Sequence, residues 1–66
     1  MEKTRLKELR EEKGLSQIQL AKILGVRNTA ISNWEVGIRQ LDIDTIVKLC
    51  DIFDVTTDYF LKRVEY

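Results

Sequence analysis

The segment from residue 17 to residue 36 constrains the fold of this chain more than any other. Its sequence, QIQLAKILGVRNTAISNWEV, holds two short runs with apolar residues at helical spacing, separated by Gly25-Val26. Glycine readily adopts the left-handed backbone that ends a helix, so Gly25 predicts a tight turn between the runs. We therefore predict two short amphipathic helices joined by a turn, which is the layout of a helix-turn-helix.

Capping residues and glycines divide the 66 residues into five predicted helices, and no stretch alternates convincingly as a strand. A chain of this length forms one domain, residues 1–66, with a core near the lower limit for unaided folding. We predict an all-α, compact five-helix bundle with short connections. The first helix runs from about Lys3 to Lys13 and stops at Gly14, the second starts after its cap Ser16 and ends at Gly25, the third covers about Asn28 to Val36 and stops at Gly37, the fourth starts after its cap Asp42, and the short fifth is capped by Thr56 or Thr57.

The apolar residues of these helices define the candidate core. Trp34 falls beside Ile31 on a helical wheel, so we predict that its indole packs in the core and does not stack on a ligand. Cys50 lies between apolar neighbours and is expected to be a small buried side chain. The apolar sets of the other helices are Leu6 and Leu9 in the first, Leu20, Ala21, Ile23 and Leu24 in the second, Ile43, Ile46, Val47, Leu49, Cys50 and Phe53 in the fourth, and Phe60 and Leu61 in the fifth.

Composition excludes several classes of function. Histidine is absent and Cys50 is the only cysteine, so the chain has neither an intrachain disulfide nor a Cys/His metal cluster. The spacing of Asp51, Asp54 and Asp58 fits no compact metal loop. We therefore expect no catalytic machinery and no cofactor. The N-terminus is too charged for a signal peptide and no apolar run approaches a membrane span, which predicts a cytoplasmic protein.

Charge is unevenly distributed along the chain, although its formal net value is zero. Residues 1–27 hold seven Lys/Arg and four Glu, a balance of +3, whereas residues 41–66 hold three basic and six acidic residues, a balance of −3. The positive part leads into the predicted helix-turn-helix. This distribution favours a negatively charged partner at that end of the molecule, with the acidic half facing away from it.

The third predicted helix has one apolar side and one compact polar side. Ala30, Ile31 and Trp34 share the apolar side of the wheel. The polar side carries short, neutral side chains that can both donate and accept hydrogen bonds. Such groups can approach the edges of DNA bases closely, and asparagine can pair bidentately with adenine. The residues of this polar side are Asn28, Thr29, Ser32 and Asn33.

The whole pattern resembles the lambda-repressor-like helix-turn-helix family, of the Cro and phage-repressor type, also called the XRE family. The resemblance runs from about Leu6 to Leu61. It includes the opening RLKELREEKGLSQ, the following LAKILGV and the closing DTIVKLCDIFDVTTDYFL. Ala21 and Gly25 stand at the small-residue positions where the two helices cross and turn. The family's apolar positions are filled by Leu20, Leu24, Val26, Ile31 and Trp34.

The resemblance implies a sequence-specific, double-stranded-DNA-binding regulator of transcription, a repressor of bacterial or phage origin, that is not an enzyme. The third helix would enter the major groove, and Asn28, Thr29, Ser32 and Asn33 match the base-contacting positions. Gln17 matches a residue that bonds the phosphate backbone, and the loop containing Arg39 and Gln40 would lie along the same backbone.

Three residues depart from the family pattern. Arg27 stands where Ser or Thr usually caps the third helix, so either the cap is lost or Asn28 provides it. We favour the second, in which the side chain of Asn28 bonds to its own backbone and Arg27 contacts phosphate. Val36 replaces a commonly polar residue, and Leu41 stands where the family often has proline. Both change the loop that follows the third helix.

The resemblance also implies an ion pair and a dimer. Positions matching Arg10 and Glu35 commonly pair and link the first helix to the third. A homodimer through the C-terminal helix is expected on a palindromic operator, with Tyr59 as the candidate contact and Val64 and Tyr66 as further ones. The alternative is a protein-interaction module on the same fold, such as an antitoxin-like or anti-repressor partner, which the zero net charge keeps open.

Overall fold

The computed structural model of the protein describes residues 4–63. Within that range the chain forms helices and no strand, so the all-α, five-helix prediction is confirmed. No helix in residues 4–63 is both long and apolar enough to cross a membrane. The helices are α1 (Leu6–Glu12), α2 (Gln17–Leu24), α3 (Asn28–Val36), α4 (Ile43–Phe53) and α5 (Thr57–Phe60).

The first helix is shorter than predicted, because the residues before it bond elsewhere. The backbone N–H of Arg5 donates to the carbonyl of Phe60 at 2.9 Å, which ties it to the end of α5. The side chain of Thr4 accepts from the N–H of Leu6 at 3.3 Å. α1 therefore begins at Leu6, and the predicted start at Lys3 lies outside the described residues.

Side chains cap the N-termini of α2, α4 and α5, as predicted. Ser16 caps α2 in a reciprocal capping box with Gln19. Asp42 caps α4 by accepting from the N–H of Thr45 at 3.2 Å. Thr56, the first of the two candidates, caps α5. Each of these caps satisfies a backbone donor that the helix itself leaves free.

The predicted turn between α2 and α3 is present and depends on glycine. Gly25 has φ +74° and Gly37, which ends α3, has φ +84°; both values lie in the left-handed region. The N–H that follows Gly25 donates to the carbonyl of Ala21 at 3.0 Å, and the N–H that follows Gly37 donates to that of Asn33 at 2.9 Å. Both helices thus end in the hydrogen-bonded motif typical of a left-handed C-cap.

The core lies between α1, α2, α3 and the C-terminal helix pair. Trp34 is half-buried and packs against it, as expected for a structural indole. Cys50 is a free, buried thiol, and burial raises its pKa. Three apolar residues of the predicted stripes are instead exposed, namely Ile23 (55%), Ile43 (77%) and Val47 (46%). The buried apolar residues are Leu6, Leu9, Leu20, Ala21, Ile31, Leu49, Cys50, Phe53 and Phe60.

Candidate nucleic-acid interface

α3 packs one side against the core and leaves the other toward solvent. Ile31 and Glu35 are its buried residues. Asn28 and Thr29 are exposed, while Ser32 and Asn33 are half-exposed. We call these four residues the outer face of α3. They form a row of short hydrogen-bonding groups on a rigid helix, which is the geometry that contact with base edges requires.

The N-terminus of α3 has no side-chain cap, which corrects one expectation. Arg27 occupies the cap position with an extended backbone, and no side chain bonds to the amides that follow it. Asn28 is the first helical residue and does not provide the cap. A capping side chain needs the non-helical backbone of the position before the helix, and here Arg27 holds that position. The side chain of Asn28 is therefore not committed to its own backbone.

A buried polar cluster joins α3 to α1 and α2. Glu35 is 5% exposed, and its Oε2 lies 2.6 Å from Nε of Arg10, which is the ion pair that the family resemblance implied. A second nitrogen of Arg10 donates to the carbonyl of Leu15 at 2.7 Å. The hydrogen bond with Glu35 raises the pKa of the Arg10 guanidinium, which therefore stays charged. No buried side-chain nitrogen or oxygen in residues 4–63 lacks a partner.

Gln17 belongs to the same cluster, which the sequence did not indicate. Its Nε2 donates to Oε1 of Glu35 at 3.0 Å, so its amide is held at the start of α2. Gln17 is half-buried and keeps a second N–H and its carbonyl oxygen for other partners. Finding this contact from sequence requires knowing that the start of α2 lies beside the last turn of α3, and no local signal gives that.

The loop after α3 is tied to the outer face through its backbone. The carbonyl of Asn33 accepts from the N–H groups of both Ile38 and Arg39, at 2.9 and 3.3 Å. The side chains of Arg39 and Gln40 are exposed. A phosphate contact at this loop would therefore be fixed in position relative to the outer face.

The exposed charged side chains between Lys13 and Leu41 are all cationic, although the whole chain is formally neutral. Between Lys13 and Leu41 the only acidic residue is Glu35, which is buried and paired with Arg10. The carboxylates of the rest of the chain precede or follow this segment. The exposed charges of the helix-turn-helix and its loop are therefore all cationic, namely Lys13, Lys22, Arg27 and Arg39.

Of the candidate dimer residues, only Tyr59 lies within the described part of the chain. It is half-buried, and the guanidinium of Arg5 lies 4.3 Å from the centre of its ring. One face of the ring is therefore covered by a residue of the same chain. Val64 and Tyr66 lie outside the described residues.

Comparison with known proteins gives a consistent set of matches. The model of a family described as helix-turn-helix matches residues 6–60. The chain is 41% identical over 61 residues to the HTH-type transcriptional regulator ImmR of Bacillus subtilis strain 168, covering 92% of this chain and 48% of that protein. It is 40% identical over 58 residues to the SPbeta prophage-derived uncharacterized HTH-type transcriptional regulator YonR of the same organism, covering 88% and 54%.

A third relative is named for activation of transcription. The HTH-type transcriptional activator BcrR of Enterococcus faecalis is 39% identical over 61 residues, covering 92% of this chain and 30% of that protein. The chain thus spans about half the length of the first two relatives and less of the third.

Proposed function

The chain belongs to the helix-turn-helix family, and from this membership we propose that it binds duplex DNA as a transcriptional regulator, with α3 in the major groove. The relatives above are all named as transcriptional regulators, and none of their names describes an enzyme. The proposal assigns contact with base edges to the outer face of α3, that is to Asn28, Thr29, Ser32 and Asn33.

The observation that carries this proposal is that the exposed charged residues of α2, α3 and the loop after α3 are all cations. DNA binding requires cations that neutralise phosphates, and a neutral chain meets that requirement only if its carboxylates lie elsewhere. Here the single carboxylate between Lys13 and Leu41 is buried and paired, so the exposed charged side chains of this segment are all cations.

Phosphate contacts are assigned to Gln17, Arg27, Arg39 and Gln40. Arg27 and Arg39 lie on either side of α3 along the chain, and both are exposed. Gln17 would bond phosphate through the amide atoms that Glu35 leaves unused. Contacts of this kind position the protein on the duplex and carry no sequence information of their own.

Assembly and direction of regulation complete the proposal. One α3 contacts too few base pairs to select a single site in a genome, so a homodimer on a palindromic operator is proposed. Its interface would be at the C-terminal helix and would include Tyr59, with Val64 and Tyr66 beside it. Repression by occlusion needs only occupancy of the operator. We therefore propose that the protein is a repressor and that it acts in the cytoplasm.

Selection of sites from random duplex DNA, followed by fluorescence anisotropy on the selected site, tests the proposal. Asn33→Ala should weaken the best site by about 1–3 kcal/mol and relax preference at one or two base pairs. Arg39→Ala should weaken all duplexes about equally and flatten the salt dependence by about one unit per monomer. Lys48, an exposed cation on α4, provides the control. Lys48→Ala should change neither the affinity for the selected site nor the salt dependence of binding.

Two results would contradict the proposal. A folded protein that selects no duplex, and binds none at low salt, would favour the protein-interaction alternative. An Asn33→Ala variant that loses affinity uniformly, paired with an Arg39→Ala variant that changes base preference, would reverse the two assigned roles.

A further inference from the structure

Val36 is an apolar side chain in line with the outer face of α3. The residues Thr29, Ser32, Asn33 and Val36 are spaced i, i+3, i+4 and i+7, so they form one stripe along the helix. The buried residues Ile31 and Glu35 lie outside this stripe. Val36 is 53% exposed, and it is the last residue of α3. The stripe thus ends in a branched hydrocarbon after three hydrogen-bonding side chains.

Packing within the described part of the chain does not account for this valine. The partly buried apolar residues that pack against the core include Trp34 and Leu41 on either side of it in sequence, but not Val36. Its neighbours one turn back, Ser32 and Asn33, are polar. Valine is also a poorer helix former than most residues that occupy exposed helix positions. Neither the core nor helix propensity therefore explains its presence on this face.

The major groove of DNA offers one apolar group to such a side chain. Base edges there present hydrogen-bond donors and acceptors, except for the C5-methyl group of thymine. We propose that Val36 contacts the C5-methyl group of a thymine and thereby determines sequence preference. This inference rests on the proposed function, because it requires α3 to lie in the major groove.

The position of Val36 in α3 indicates where in the half-site that thymine lies. Gly37 follows directly, and the loop beyond it carries Arg39, the proposed phosphate contact. The carbonyl of Asn33 holds that loop through two hydrogen bonds. Val36 thus lies between the base-contacting side chains and the phosphate-contacting loop. The thymine it contacts is therefore at the edge of the half-site reached by the C-terminal end of α3.

Replacing thymine with deoxyuridine tests the inference directly, since the exchange removes one methyl group and keeps every hydrogen-bonding group. In the selected operator, each thymine of one half-site is replaced in turn and affinity is measured by anisotropy. One replacement, near the edge of the half-site, should weaken binding of the wild-type protein about fourfold, the factor for burying one methyl group. With Val36→Ala the same replacement should have no effect, and sites selected by this variant should lose their preference for thymine at that position.

Val47 provides a matched control, because it is also a valine on a helix and is 46% exposed, but it lies on α4. Val47→Ala should keep the wild-type response to deoxyuridine. Thermal melting should show that Val36→Ala remains folded, since alanine favours a helix.

Two outcomes would overturn the assignment of Val36 while leaving the proposed function intact. One is a selected site with no preferred thymine at that edge. The other is a deoxyuridine penalty that is the same for wild type and Val36→Ala. Failure of the protein to bind any duplex would instead reject the proposed function, and the inference with it.

Discussion

The helix pairs α2–α3 and α4–α5 both bury apolar side chains in the core, but only α2–α3 adds a polar cluster to that packing. Between α2 and α3, the amide of Gln17 donates to the buried carboxylate of Glu35, which is itself paired with Arg10. In α4 and α5 the buried side chains are apolar, namely Leu49, Cys50, Phe53 and Phe60. Hydrophobic burial is non-directional and supplies stability, whereas hydrogen bonds between charged groups demand one geometry. The pair proposed to contact DNA is thus the one with the more narrowly defined orientation.

The two pairs also differ at their N-termini. Asp42 and Thr56 cap α4 and α5, and Ser16 caps α2, but α3 has Arg27 at its cap position and no side-chain hydrogen bond there. The first amides of a helix favour an anion, so a side-chain cap would compete with phosphate for them. The uncapped N-terminus of α3 is thus less stable than a capped one, but its first amides remain available to a DNA phosphate.

The largest effect is expected in the apolar pair. Phe60 is fully buried, and Phe60→Ala should cost about 3–5 kcal/mol through lost burial and a cavity. That cost is comparable with the whole stability of a domain this small, so the variant should be largely unfolded at 25 °C. Urea unfolding followed by circular dichroism measures this. Lys62→Ala, at an exposed position nearby, should leave the midpoint unchanged, and a Phe60→Ala protein with the wild-type midpoint would show that the apolar pair is not the main source of stability.

A smaller but coupled effect is expected in the polar pair. Glu35→Ala leaves Arg10 and Gln17 without their shared acceptor and should cost about 1–3 kcal/mol. In a double-mutant cycle, Glu35→Ala and Arg10→Ala should be non-additive, because each removes the same interaction. If the two costs add within experimental error, Arg10 and Glu35 are not coupled, and the polar cluster does not distinguish α2–α3 from α4–α5.

Supplying the missing cap of α3 should change the free energy of unfolding by about 1 kcal/mol. Arg27→Ser should raise the free energy of unfolding by about that amount, since serine is among the preferred caps. It should also weaken binding to all duplexes by removing a proposed phosphate contact. Arg27→Ala separates the two effects, because it removes the charge without adding a cap. Ser16→Ala should cost about 1 kcal/mol at the capped helix. An Arg27→Ser variant with unchanged stability would contradict the view that α3 lacks a useful cap.

The smallest effect concerns pH and the cap of α4. Hydrogen bonding with Thr45 lowers the pKa of Asp42 from its ordinary value of 3.8. Since the folded-state pKa is the lower one, the cap contributes fully above pH 3.8 and is lost as pH falls below that value through the folded-state pKa. Asp42→Asn keeps an acceptor but does not titrate there. Its melting temperature should fall less than that of the wild type between pH 5 and pH 3; equal falls would show that Asp42 does not contribute.

Three helix N-termini, the turn at Gly25 and the polar face of α3 were predictable because their signals are local. The caps Ser16, Asp42 and Thr56 and the turn at Gly25 each act within a few residues of the chain. The polar outer face of α3 follows from helical periodicity alone. For the same reason Asn33 and its neighbours could be nominated as a candidate site before any tertiary contact was known.

What sequence missed depends on how the helices pack. Ile43 was counted with the apolar stripe of α4 but is 77% exposed, since the directions from which α1 and α5 approach decide which part of a wide stripe is covered. The contact of Gln17 with Glu35 joins residues 18 positions apart. The start of α1 is set by a bond from Arg5 to the other end of the described chain. None of these has a local signature.

That bond has a consequence for the connectivity of the chain. Arg5 contacts Tyr59 through its side chain and Phe60 through its backbone, although Arg5 and Tyr59 are 54 residues apart. The start of α1 and the end of α5 therefore lie side by side, so that a short linker could join them. A circular permutant that joins residue 63 to residue 4 by a short flexible linker, and opens between the exposed residues Arg39 and Gln40, should form the same helices. In that permutant α4 and α5 would be synthesised before α1. The helices should nevertheless pack against one another as they do in the natural order.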